Sequence, residues 1–232
     1  MQVKNNLLYN NDGTQVEFRQ SPNVSSGTKD IRFIVLHYDG ASNGTSAVNW
    51  LTDPRSKVSC DLHISKAGKV VQMARFNQIT WHVGASAWKG LTGLNKYAIG
   101  IEQQNENAKS EWTETQILKC IEVCKALVAA YPSITEILAH SEVATPAGRK
   151  DDPGPKFPME RVRREVFGAN TVMTKHTTSG LNLRQGAGTQ YDVISVIPAG
   201  VEVSILSAQG DWSEVLLCSS KQRGWVSSKY LK

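Results

Sequence analysis

Long apolar runs are what this 232-residue sequence most plainly lacks. The longest, Ala126 to Tyr131, falls far short of the roughly 20 residues a membrane-crossing helix needs, so no membrane insertion is expected. The opening residues, Met1-Gln-Val-Lys-Asn-Asn-Leu-Leu-Tyr-Asn-Asn11, hold no apolar stretch of signal-peptide length. The expectation is synthesis in the cytoplasm, with any export by a separate route. Cysteine is scarce as well. Cys60, Cys120, Cys124 and Cys218 give no disulfide framework. Cys120 and Cys124 share a helical face with Ile117, Ile121, Leu127 and Val128, where a thiol behaves as a small hydrophobe. As a metal pair they would need further ligands, and none is near. Charge is not concentrated either. The net charge of +5 mildly favours anionic partners, but no basic run or stripe supports nucleic acid.

What is present reads as two units. Residues 1–30 are polar and turn-rich, densest in Gln20-Ser-Pro-Asn-Val-Ser-Ser-Gly27. Apolar runs of strand length follow at 31–37, 97–103 and 136–140. The runs 58–64 and 69–73 flank Lys66-Ala-Gly-Lys69 and predict an antiparallel hairpin. A short helix is expected over 45–51, with Val48 and Leu51 inward. Thr113-Glu-Thr-Gln116 has the pattern of a capping box and opens a helix that must stop before Pro132. A basic closing helix is expected over 158–167, with Val162, Val166 and Phe167 inward. Strands alternating with helices predict an α/β catalytic domain with a mixed central sheet and flanking helices, over residues 1–168. Composition changes near Gly168-Ala-Asn-Thr171. Beyond it, short strand-like runs at 193–197, 201–206, 212–217 and 224–226 predict a small all-β barrel over residues 169–232.

The chemistry gathers in His140 to Pro155, which reads His-Ser-Glu-Val-Ala-Thr-Pro-Ala-Gly-Arg-Lys-Asp-Asp-Pro-Gly-Pro. Three prolines and two glycines make a stiff loop, suited to holding polar groups in one arrangement. Zinc catalysis wants three protein ligands and one open position. His37 and His140, both at expected strand ends, supply two of them, and Asp151 or Asp152 supplies the third. His63 falls inside the hairpin and reads as structural, and His176 reads as a surface residue. Glu102, at a strand end, is the candidate general base, and Lys150 the candidate stabiliser of an oxyanion. Trp81 and Trp88 are candidates to line a cleft. Together these groups imply hydrolysis of an amide or ester, with the particular bond left open.

Ile34-Val-Leu-His37, Trp81-His82-Val-Gly84, Ile99-Gly-Ile-Glu102 and His140-Ser141 through Gly148-Arg-Lys-Asp-Asp-Pro-Gly154 together resemble the type-2 N-acetylmuramoyl-L-alanine amidases. These zinc enzymes are related to animal peptidoglycan-recognition proteins, and the resemblance covers roughly residues 18–168. It implies a Zn2+ cofactor held by His37, His140 and Asp152, with Lys150 and Glu102 in catalytic roles and His82 at the substrate cleft but not a ligand. The implied partner is bacterial peptidoglycan, cut between the lactyl group of N-acetylmuramic acid and L-alanine. One departure stands out. Many members carry an aromatic residue or a histidine near Val58-Ser-Cys-Asp61, where this chain has Cys60 and Asp61. In the second unit Leu181-Asn-Leu-Arg184, Gly186, Gly188, Gly200, Gly210-Asp-Trp212 and Gly224-Trp-Val-Ser-Ser-Lys-Tyr-Leu231 resemble a bacterial SH3-like domain, which implies binding to wall peptides. A wall-lytic enzyme of the endolysin type is the resulting expectation. A recognition protein that binds without cutting, or an amidase recycling muropeptides, stands as the alternative.

Overall fold

The computed structural model describes residues 1–108, 110–168, 173–220 and 222–232. It divides into two compact units, Met1–Val166 and Phe167–Lys232. The expected boundary after residue 168 borders residues 169–172, which lie outside the described part.

The first unit is built on a six-stranded mixed sheet. Its strands are β1 (Glu17–Phe18), β2 (Phe33–Tyr38), β3 (Leu62–Ile64), β4 (Val70–Gln72), β5 (Ala98–Gln103) and β6 (Glu136–Ala139), in the order β6-β2-β5-β3-β4-β1. β6, β2, β5 and β3 run parallel, and only β3 and β4 form the antiparallel hairpin read from the sequence. A parallel sheet covered on both faces needs continuous rather than alternating apolar strands. β2 meets that need, since Phe33 through Leu36 are all buried. The register sets His37 of β2 opposite Glu102 of β5, and Glu102 opposite His63 of β3. Three titratable residues therefore stand in one row across the sheet.

The helices are α1 (Gly44–Leu51), α2 (Glu114–Ala130), α3 (His140–Val143) and α4 (Met159–Phe167). α1 buries Val48 and Leu51 as expected. In α2 the Thr113 hydroxyl accepts from the Gln116 backbone N–H at 3.2 Å, but Gln116 does not close the box. Its side-chain amide donates instead to the carbonyls of Ile64 and Gln104, each at 3.1 Å, joining the helix to the ends of β3 and β5. Cys120 and Cys124 are buried in the core. The residues after β6 form a single helical turn rather than a loop. α3 begins at His140, and the Ala139 N–H donates to the Glu142 carboxylate at 2.8 Å.

Residues 1–30, read as polar and turn-rich, also carry paired strands, and one expectation for α4 needs correction. Gln2–Lys4 and Leu7–Tyr9 pair antiparallel, Leu8 is buried, and its N–H donates to the buried Gln72 side chain at 2.8 Å. In α4 Val162 is buried, but Val166 and Phe167 are only half-buried. The buried neighbour is Arg163, whose guanidinium donates to Ile137 O at 2.8 Å, Glu142 at 2.6 Å and Glu160 at 2.7 Å. A guanidinium can leave water when its N–H groups find charged and carbonyl acceptors.

The second unit is one antiparallel sheet of β7 (Met173–His176), β8 (Leu181–Arg184), β9 (Val193–Ile197), β10 (Glu202–Gln209), β11 (Trp212–Leu217) and β12 (Arg223–Ser227), in the order β7-β10-β11-β12-β8-β9. Strict alternation puts Ser213, Val215 and Leu217 of β11 inward. The core comprises Leu181, Leu183, Ile197, Val203, Ile205, Val215, Leu217, Val226 and Leu231. All four expected strand runs are present, and β7 and β8 are additional to them. His176 is exposed at the end of β7.

Candidate metal centre and cleft

His37 comes from β2, His140 from the first residue of α3, and Asp152 from the loop after it. His37 Nδ1 lies 2.9 Å from His140 Nδ1 and 2.9 Å from Asp152 Oδ2, and His140 Nδ1 lies 3.0 Å from the same oxygen. All three residues are buried. The loop is fixed to α3 by the Ser141 N–H, which donates to Asp152 O at 3.0 Å.

The outer ring nitrogens decide where the protons are. His140 Nε2 sits 3.0 Å from Val83 O, and His82 Nε2 sits 3.2 Å from Ala98 O. A carbonyl only accepts, so both Nε2 atoms carry hydrogen and both Nδ1 atoms are bare in the neutral rings. His37 Nε2, 3.0 Å from His82 Nδ1, must then donate, and His37 Nδ1 is bare as well. Burial pushes His37 down to about 4 and His82 well below its ordinary value, so both rings are neutral near pH 7. Asp152 Oδ2 faces both rings, 2.9 and 3.0 Å from their bare nitrogens. Two lone pairs and a carboxylate oxygen thus meet with no proton among them. Their separations are close to the roughly 3.3 Å kept by ligands about 2.0–2.1 Å from a tetrahedral ion. The donor set fits a divalent metal, and each histidine already has the outer-nitrogen acceptor that metal-binding imidazoles use.

These donors line a cavity of about 380 Å³. Glu102 lines it beside His37, with Oε2 buried and without a hydrogen-bond partner among the described residues. Burial, then the charges of Asp152 and Asp39, push the Glu102 carboxyl well up, with Lys150 opposing. Lys150 is exposed and lines the same cavity. Trp81 and His82 line it too, whereas Trp88 does not. Trp88 packs instead beside Phe33, Val35 and Val83, and its indole N–H donates to Glu136 at 3.3 Å. Of the two adjacent aspartates, Asp151 turns to the rim and accepts from the Tyr38 hydroxyl at 2.6 Å. His63 is a buried partner of Asp39 at 2.8 Å and is not among the three clustered donors.

Sequence reading missed several members. Trp50 is 55% exposed and lines the cavity with Ala47 and Leu51 of α1 and with Val58. Its place on an amphipathic helix with Val48 and Leu51 inward was the available signal. Val83 contributes only a backbone carbonyl, which no side-chain pattern reveals. Arg149 also donates to that carbonyl, at 3.0 Å, and to Ala85 O at 2.7 Å. Gly100, within the Ile-Gly-Ile-Glu run, is explained by contact. A Cβ there would fall 2.6 Å from the His82 ring.

Residues 27–155 match the family model described as N-acetylmuramoyl-L-alanine amidase, and residues 179–232 match the bacterial SH3 domain. The amidase AmiD of Escherichia coli K12 is 30% identical over 174 residues, covering 68% of this chain. The chain spans 60% of that relative's length. Among solved structures, a selenomethionine derivative of AmpD superposes with a TM-score of 0.60 at 25% identity, over 72% of this chain and 99% of that one. E. coli AmiD in complex with anhydro-N-acetylmuramic acid-L-Ala-D-γ-Glu-L-Lys superposes with a TM-score of 0.54 at 29% identity, over 69% of this chain and 66% of that one.

Proposed function

The chain belongs to the N-acetylmuramoyl-L-alanine amidase family, and on that premise we propose that it is a zinc-dependent peptidoglycan hydrolase. The bond cut is the amide between the lactyl group of N-acetylmuramic acid and L-alanine of the stem peptide. One observation carries the reading: three unprotonated donors converge in a cleft that also holds the unpartnered carboxylate oxygen of Glu102.

His37, His140 and Asp152 would hold the zinc, which when bound supplies a Lewis acid able to activate water near neutrality. The protein's own groups do the rest. Glu102 accepts a proton from the attacking water, and the positive charge of a loaded site would favour the carboxylate form this requires. Lys150, at the rim, offers the charge that opposes a developing oxyanion. Protonated Glu102 then returns its proton to the departing amine. Trp81 and His82 shape the wall against which the substrate lies.

The SH3-like unit supplies attachment in this reading. Asn182, Arg184, Val196, Trp212 and Tyr230 line a groove of about 750 Å³ there, and none of Val196, Trp212 and Tyr230 belongs to that unit's core. Attachment to an immobile polymer raises the local concentration of the catalyst even when each contact is weak. This favours a bacteriolytic, endolysin-type role on the intact wall over recycling of soluble fragments. The AmiD structure with an anhydro-muropeptide is the observation that favours the second reading, a recycling amidase.

Digestion of purified sacculi, beside a soluble anhydro-muropeptide, tests the proposal. New L-alanine amino termini are expected from both substrates, with residues 1–168 alone keeping activity on the soluble one. Amino termini from within the stem peptide would mean a peptidase. A zinc-loaded protein that releases nothing would be a recognition protein. Cleavage of the soluble substrate alone would indicate recycling.

A further inference from the structure

Beneath the cleft, Lys29 and Asp61 form an ion pair whose side chains are both 0% exposed. Lys29 Nζ donates to the two carboxylate oxygens at 2.7 and 2.8 Å, and the Thr80 hydroxyl donates to Oδ2 at 2.7 Å. The fourth hydrogen bond comes from a backbone group, the Gly100 N–H at 2.9 Å. β3 pairs with β5 only from Ile101 onward, so Ala98 to Gly100 have no β3 partner. Two side chains bond this stretch instead: Asp61 takes the Gly100 N–H, and His82 Nε2 donates to Ala98 O. The two are linked in space, because the His82 ring lies against Gly100 so closely that a Cβ there would meet it at 2.6 Å. His82 Nδ1 in turn accepts from His37 Nε2 at 3.0 Å.

We propose that the buried Lys29–Asp61–Thr80 cluster is a positioning device for the metal centre. It holds the start of β5 where Ala98 O fixes the His82 tautomer, and His82 then fixes the tautomer of His37. The inference rests on the zinc reading above, because its purpose is to keep the lone pair of His37 Nδ1 turned toward the other two donors. It also gives a role to Asp61, which is fully buried. A buried ion pair is a poor source of stability compared with well-packed apolar groups, which leaves geometry as the reason to retain one. Outer partners of metal-binding histidines commonly govern metal affinity by about 10–100-fold.

The experiment pairs Lys29→Met with Asp61→Asn, so that neither residue is left as an uncompensated buried charge. Histidine-labelled, zinc-free protein is then examined by two-bond nitrogen–proton NMR, which distinguishes Nδ1–H from Nε2–H rings. Wild type should show Nε2–H at both His37 and His82. The double variant should show mixed tautomers at both and a zinc affinity about 10–100-fold weaker. Pure Nε2–H signals, with zinc affinity within twofold of wild type in a folded double variant, would overturn the proposal. If the double variant does not fold, Thr80→Val is used in its place and Thr80→Ser as the rescue. Disturbed tautomers in the valine variant, restored in the serine one, support the device, and unchanged tautomers in both overturn it. Because the NMR is done without metal, a wild-type protein that binds no zinc would defeat the functional reading while leaving this test intact.

Discussion

Asp152 Oδ2 lies 3.0 Å from His140 Nδ1, although Asp151, its neighbour in the chain, is committed elsewhere through a 2.6 Å hydrogen bond from the Tyr38 hydroxyl. Adjacent residues of one type therefore have separate tasks. Asp152→Asn removes a charged donor from the triangle and should cost at least about tenfold in zinc affinity. Asp151→Asn should leave stoichiometric zinc in place. Metal analysis of both dialysed proteins checks the assignment, and zinc loss in the Asp151 variant alone would reverse it.

Glu102 lines the cleft but is not one of the three clustered donors. Glu102→Gln keeps the shape and removes the proton acceptor. The expected result is a fall in kcat of about 10²–10⁴ with unchanged zinc content. Turnover and metal content measured on one preparation separate this from loss of the site, and near-normal turnover would place the base elsewhere.

The buried neutral state of His37 makes the metal-free protein sensitive to acid. Burial lowers the folded-state value to about 4, against about 6.5 in the unfolded chain. Between those values the unfolded state binds more protons, so stability falls as pH falls from about 6.5 toward 4 and levels off below. The full effect is on the order of 3 kcal/mol. Urea denaturation of zinc-free protein at pH 7, 5.5 and 4.5 should show a declining midpoint, with a smaller decline in His37→Gln. Equal slopes in the two proteins would refute the attribution.

Trp50 is 55% exposed on the wall of the cleft, where an indole adds little to packing and much to a ligand surface. Trp50→Ala should raise KM several-fold and leave kcat nearly unchanged. Stability should stay within about 0.5 kcal/mol, as for surface positions generally. Steady-state kinetics on a soluble muropeptide, beside a thermal melt, would show otherwise if the residue were structural.

Much of this molecule is written locally. Phe33 to Leu36 is an unbroken apolar run because a parallel strand with both faces covered leaves no room for a polar alternation. Ile117, Cys120, Ile121, Cys124 and Leu127 repeat at helical spacing because one face of α2 is buried. Tight motifs around His37, Glu102 and His140 survive in the sequence because strand ends and stiff loops hold functional groups at fixed places along the chain. Local pattern was less able to decide between half-buried and buried. Arg163 of the basic helix α4 is buried rather than Val166 and Phe167, because its acceptors, Ile137 O and Glu142, belong to other elements.

The sequence by itself determined most of the central elements, the two-unit plan and a short set of chemical groups, since each depends on neighbours within a few turns of chain. Tertiary structure decided which groups meet. His37 and Asp152 are 115 residues apart, and their contact depends on β6, β2 and β5 lying parallel in one register. The same packing turned Asp152 rather than Asp151 inward, set Trp88 half-buried against a core cluster and Trp50 in the cleft, and buried Lys29 against Asp61. Periodicity along a chain records which face of an element is covered, but not which distant side chain covers it.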